Sequence, residues 1–215
     1  MKPTTEESKA DRAYRELKHR LILLDIAPGD AINEVALSSE LGLGRTPIRE
    51  ALKRLESDRL VAFYPRRGTF ATGVDITDLA EISEMREVLE PLAARKAAAA
   101  ALDPELRLEF EAVVRELEGV GSGADQRRML EHDLRVHRLV YRAVGNHHLA
   151  ATLTRLDDLA TRIWGLVRDR IPDISAHVGE HVELLRAILD GDADRAAALS
   201  EAHVRHFEDT VRSVL

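Results

Sequence analysis

The sequence predicts a mostly α-helical fold in two parts. A short helical unit ending in a small β-hairpin occupies residues 1–74, and an all-α helical bundle occupies residues 75–215. Helical periodicity runs through most of the 215 residues, and residues 60–72 depart from it with two β-rich runs about a turn. Charge divides at the same place. Residues 1–74 hold 13 Lys+Arg against 11 Asp+Glu, and the remainder holds 18 against 27, so the net charge of −7 conceals a slightly basic N-terminal part. Any contact with a polyanion is therefore expected through placed arginines rather than through a broad basic surface.

In the first part, residues 11–24 carry a helical pattern with Tyr14, Leu17, Leu21 and Leu24 on one side. Ala27-Pro28-Gly29-Asp30 reads as a turn. A second helix is expected over Glu34–Leu41, with Gly42 placed to stop it. A third begins near Arg45. Thr46 suits its N-cap and Pro47 its first helical position, where a missing N–H costs nothing. Ile48, Ala51, Leu52 and Leu55 form its buried stripe, while Arg45, Arg49 and Lys53 step by four along another face.

Alone, such a helix is as readily a solvated amphipathic helix as a recognition element. Its surroundings favour recognition: helix, tight Gly-containing turn and helix form a helix-turn-helix. Residues 60–64 and 69–72 then predict a hairpin with Arg66, Arg67 and Gly68 at its tip, suited to a phosphate wall or a minor groove. The whole reads as a winged helix-turn-helix that binds double-stranded DNA.

Beyond residue 75 the pattern predicts helices over 76–101, 103–118, 125–145, 147–171, 174–190 and 192–214. Breaks fall at 102–104, 119–123, 145–146, 172–173 and 191–192, and Pro91 predicts a kink. Ala-rich 93–101 suits a packed helical face. Several ionisable groups lie on inward stripes. Asp133 and His137 share a face of one helix, His181 falls in the stripe of another, and His203 in that of the last. An unpaired carboxylate in an apolar interior is prohibitively costly. One divalent cation would satisfy all four groups, and helical bundles build metal sites in this way. Eight of the nine His follow residue 130, so some clustering comes from composition alone. His132, His147, His148, His177 and His206 fit the stripes less well and read as surface, cap or outer positions. His177, one turn before His181, is the competing ligand.

Hydrophobic content of 45% with 4% aromatics implies an aliphatic, Ala-rich core. The lack of cysteine excludes a disulfide framework and thiolate metal ligands. No apolar run is long enough to span a bilayer and no signal-peptide pattern begins the chain, so a cytoplasmic location is expected.

Residues 10–74 resemble the winged helix-turn-helix of the GntR superfamily of bacterial regulators. The Pro28-Gly29 turn, the Arg45-Thr-Pro-Ile-Arg-Glu-Ala-Leu52 run, the Leu55 to Leu60 continuation and the Arg67-Gly68-Thr69 wing carry the likeness. The resemblance implies a recognition helix in the major groove and a wing at the adjacent minor groove. Arg45 and Arg49 would contact bases or phosphates, Thr46 a phosphate, and Gly68 the groove through its backbone. The family often has an arginine after the glutamate of the second helix, whereas this chain has Val35 there.

Residues 76–215 resemble the FCD ligand-binding domain of the FadR-type subfamily, in its six-helix, VanR-like form. Many members carry Asp-x-x-x-His followed by two separate His, a pattern completed here by Asp133, His137, His181 and His203. These ligand types suit Zn, Ni, Co, Mn or Fe(II). Arg86 lies on the Leu79, Ile82, Leu89, Ala93 stripe, and the family directs an arginine of this helix toward its effector. The residues alone leave an internal ion pair with Glu90 or Glu87 equally open. The expected function is a homodimeric, metabolite-responsive repressor on a palindromic operator, sensing a small carboxylate through the metal and Arg86. The alternative is a metal-dependent hydrolase or lyase, against which stand the lack of HExxH and of a carboxylate free to act as general base.

Overall fold

A computed structural model describes residues 7–119, 125–171 and 174–215. Contacts divide the chain into units of residues 1–74 and 75–215.

The first unit contains α1 (Lys9–Ile22), β1 (Ala31–Ile32), α2 (Glu34–Leu41), α3 (Arg45–Ser57), β2 (Val61–Tyr64) and β3 (Gly68–Ala71). The Ser8 hydroxyl accepts from Asp11 N and starts α1. The Asn33 side chain accepts from Val35 N and Ala36 N and starts α2, which ends on left-handed Gly42 at φ 64°. The core is aliphatic: Leu17 and Leu21 of α1 meet Ile48, Ala51 and Leu55 of α3, all without exposure. At about 1.5–3 kcal/mol per buried large aliphatic side chain, this interface fixes α3 and leaves its opposite face in solvent.

Two expectations are corrected. The cap of α3 is Gly44, which makes no side-chain bond, and Thr46 and Pro47 sit two and three positions further in. Pro47 remains within the first turn, where N–H groups have no intrahelical acceptor. The hairpin also gains a third strand, because β1 pairs antiparallel with β3 to give the order β1-β3-β2. A two-residue strand lies below the length at which alternation is legible.

The second unit contains α4 (Leu79–Ala99), α5 (Pro104–Glu118), α6 (Gln126–Ala143), α7 (His147–Val167), α8 (Ser175–Asp190) and α9 (Ala193–Ser213). Short 3-10 turns at Ile76–Asp78 and Arg168–Arg170 replace the predicted ends of the α4 and α7 segments. The predicted breaks at 120–123 and 172–173 lie outside the described residues. Asp103, Asp125, Asn146 and Asp192 each accept from a first-turn N–H and set the starts of α5, α6, α7 and α9. α4 continues through Pro91 and packs against α6, α7, α8 and α9. Ala93, Ala94, Ala97 and Ala98 are buried on it, and such small side chains permit close approach. This central position brings Arg86 of α4 among side chains of α6, α7, α8 and α9.

Candidate functional site

The recognition surface of the first unit is polar and open. Arg45, Thr46, Arg49 and Lys53 are all exposed on α3. Arg49 Nε donates to Glu34 Oε2 at 2.7 Å. Its two Nη groups, the fork that matches a guanine edge, have no hydrogen bond among the described residues. Val35 is 56% exposed at the start of α2, so the side chain in place of the family's arginine meets solvent. In the wing, Arg66 takes a left-handed φ of 65° and Gly68 a φ of 104°. Arg66, Arg67 and Gly68 are exposed, and the Arg67 guanidinium lies within 6 Å of the Tyr64 and Phe70 rings, which steadies it.

The second unit brings Asp133 and His137 of α6 together with His181 of α8 and His203 of α9. All four are buried, and one ligand atom from each lies within 4.8 Å of the others. Asp133 Oδ1 is the hub, at 3.9 Å from His137 Nε2, 3.7 Å from His181 Nε2 and 3.8 Å from His203 Nε2. These distances exceed a hydrogen bond. Among the described residues, Asp133 Oδ1, both nitrogens of His181 and His203 Nε2 have no hydrogen-bond partner. A tetrahedral ion with bonds of about 2.1 Å holds its ligands about 3.4 Å apart. The three distances from Asp133 are therefore a few tenths of an ångström wider than a shared ion requires, and the donor set fits a borderline divalent cation.

Charge is arranged around the ring. Burial pushes the Asp133 carboxyl up to about 6, with His137 opposing the rise. Burial works against a charge on His137, but Asp157, Glu90 and Asp133 outweigh it and lift that imidazole to about 9. Burial, together with neighbouring cations, holds His181 and His203 well below the usual histidine range. Two imidazoles are thus neutral ligands already, while cation binding near neutral pH would displace the proton of His137.

Arg86 is both ion-paired and turned toward the cluster. Its Nε lies 3.2 Å from Glu90 Oε1, and its Nη2 lies 3.3 Å from His137 Nε2. Glu90 also accepts from the Tyr141 hydroxyl. Burial opposes the charge of Glu90, yet His137 and Arg86 hold it well below the usual carboxylate range. Of the two expected partners Glu90 is the one used, and Glu87 faces Arg205 instead. Arg86, Asp133, His137, His177 and His203 line a space of about 190 Å³, too narrow as it stands to seat a free water molecule.

His177 and His132 are buried, at 3% and 6% exposure, so neither is a surface or cap group. His177 Nε2 is 3.8 Å from Asp133 Oδ1, as near as the proposed ligands. It nevertheless falls outside the four-residue cluster and stacks on His203 with centroids 4.0 Å apart. His147 and His148 are exposed.

Glu180 is a residue that the sequence reading missed. It pairs with His203 Nδ1 at 2.9 Å and with His206 Nδ1. The Nδ1–H that donates to Glu180 leaves the His203 Nε2 lone pair facing Asp133. Outer carboxylates of this kind orient a ligand imidazole and raise its basicity. Glu180→Gln is expected to weaken cation binding by about 10- to 100-fold with the fold retained, as read by competition with a chromophoric chelator. Unchanged affinity would remove Glu180 from the site.

Comparison with known proteins agrees with this architecture. Residues 9–71 match the model for bacterial regulatory proteins of the gntR family, and residues 81–206 match the FCD domain. A transcriptional regulator encoded in an unstable DNA locus of Streptomyces ambofaciens is 30% identical over 209 residues, covering 94% of this chain and 84% of the relative. The transcriptional repressor GlaR of Escherichia coli is 28% identical over 207 residues, covering 89% and 90%. The solved structure of E. coli McbR/YncC superposes with a TM-score of 0.82 at 21% identity, covering 96% and 98%, and so shares the fold.

A winged helix-turn-helix joined to an FCD bundle defines a class of DNA-binding transcriptional regulators. The chain belongs to the GntR family, with an FCD domain. Members of this class are regulators and not enzymes, so the hydrolase or lyase alternative is set aside. Among the described residues, no helix is long and apolar enough to cross a membrane.

Proposed function

We propose that this protein is a cytoplasmic, metal-loaded repressor whose FCD unit senses a small carboxylate. The observation that carries the reading is the orphaned Asp133 Oδ1 ringed by buried imidazole nitrogens, with Arg86 beside it. Asp133, His137, His181 and His203 would hold the cation, Zn, Ni, Co, Mn or Fe. When bound, the cation would neutralise the buried carboxylate and offer a Lewis-acidic position to a ligand oxygen. Arg86 is the group suited to the ligand's other oxygen, since a guanidinium binds a planar carboxylate with two parallel bonds. Mobility shift of an operator fragment by metal-loaded protein, with and without a panel of small organic acids, tests the reading. One acid should release the DNA, and its effect should vanish after chelation. Release that is independent of metal would contradict it.

In the DNA-binding unit, α3 would enter the major groove, with Arg45 and Arg49 reading bases, Thr46 and Lys53 supporting them at phosphates, and Arg66, Arg67 and Gly68 reaching the flanking groove. Arg66→Ala should weaken binding evenly across DNA sequences and lower the slope of log affinity against log salt by about 0.9. A change confined to one operator would assign Arg66 to base reading instead.

A single recognition helix reads too few base pairs for a genome, so two-fold pairing on a palindromic operator is part of the proposal. Analytical ultracentrifugation should find a homodimer both free and on DNA. A monomer in both states would contradict it.

A further inference from the structure

The α7 wall of the cavity carries polar groups that neither the cation ligands nor Arg86 hydrogen-bond. Asp157, Thr161 and Trp164 stand at i, i+4 and i+7, so they share one helical face. Each is at most 2% exposed, and all three line the same space as Arg86, Asp133 and His137. Among the described residues, neither oxygen of Asp157, nor Thr161 Oγ1, nor Trp164 Nε1 has a hydrogen-bond partner. A helical threonine commonly bonds the carbonyl one turn back, and this one does not. Arg86 Nη2 and Arg138 Nη2 flank Asp157 at 3.7 Å each, close enough to offset its charge and too far to bond it. Orphaned buried groups on one face, aimed into one space, mark a place where a ligand supplies the missing partners.

We propose that this face is a subsite for a hydroxyl group, and that the effector is a small hydroxy acid. The inference rests on the carboxylate-sensing reading above and names its ligand class. A carboxylate such as Asp157 offers acceptors, the Trp164 indole only donates, and Thr161 does either. A hydroxyl can donate to Asp157 and accept from Trp164. An ammonium would serve Asp157 but leave the indole N–H unmatched, and it would lie near two guanidinium groups. A second carboxylate would serve the indole but oppose Asp157. The space seats no free water molecule as it stands, which favours a short acid over a long one. Entry requires side chains to part, and Arg138, 28% exposed, is the flanking group with access to solvent.

Calorimetric titration of the metal-loaded full chain with propionate, 2-hydroxypropionate, 3-hydroxypropionate, 3-aminopropionate and malonate tests the subsite. At least one hydroxypropionate should bind about tenfold or more tighter than propionate, as expected for a hydrogen bond to a charged group. Asp157→Asn should reduce that preference, taken as the ratio of hydroxy-acid to propionate affinity measured in the same metal-loaded variant, to about threefold or less. Trp164→Phe keeps the ring and removes the donor, and it should also shrink the preference. Equal binding of propionate and both hydroxy acids, a preference for the amino acid or the diacid, or a preference that survives both variants would overturn the subsite. In those cases metal-dependent propionate binding would leave the parent reading intact. If no acid binds the metal-loaded wild type, the carboxylate-sensing reading fails and the subsite fails with it.

Discussion

Arg45→Ala combined with Arg49→Ala is expected to abolish discrimination between operator and unrelated DNA. A bidentate contact to a base contributes about 1–3 kcal/mol, so losing two should cost about 30-fold to more than 10⁴-fold in specific affinity. Both side chains are exposed and neither touches the Leu17, Leu21, Ile48 and Leu55 core, so the fold should survive. Removing Arg49 leaves Glu34 without its 2.7 Å partner, but that carboxylate is partly solvated and the effect on stability should be small. The readout is mobility shift against specific and scrambled DNA at one salt concentration. Wild-type operator affinity in the double variant would contradict the placement of α3 in the groove.

Chelation is the second large effect. A cation that binds only the folded chain stabilises it by mass action, so stripping it should lower the melting temperature. Chelated protein retains a buried carboxylate, Asp133, whose Oδ1 has no hydrogen bond, and imidazole nitrogens in the same condition. His181→Ala should melt at or below the chelated wild type, because the deleted ring leaves a cavity, and show no further response to chelator. Its ring is fully buried with neither nitrogen partnered, so its loss removes a ligand without breaking another bond. A full chelator response in His181→Ala would contradict its role as a ligand.

Much of this was legible before the structure, for identifiable reasons. The α3 stripe, the Gly42 stop and the wing rest on local rules that a short window carries. The four cluster residues were legible because ionisable groups on inward helical faces demand partners. His177 was placed outside because its position in the period of α8 is marginal, whereas its burial comes from Trp164 and His203, contributed by other helices. Thr46 was read as the cap because its hydroxyl suits that role, but the turn after Gly42 starts the helix at Arg45, two residues before Pro47. Glu180 was illegible because its value lies in reaching His203 and His206 on the next helix. Asp157, Thr161 and Trp164 did leave a signal, a polar i, i+4, i+7 set among the buried residues of α7. It could be interpreted only once α4 and α6 were seen to face it.

Elemental analysis of protein purified without added metal or chelator tests the metal centre most directly, with wild type, His181→Ala and His177→Ala measured side by side. The account predicts one divalent ion per chain in wild type and in His177→Ala, and none in His181→Ala. Full metal in His181→Ala with loss in His177→Ala would show that the wrong histidine completes the site. No metal in any of the three, even after reloading, would reduce Asp133 and its ring of histidines to a polar core.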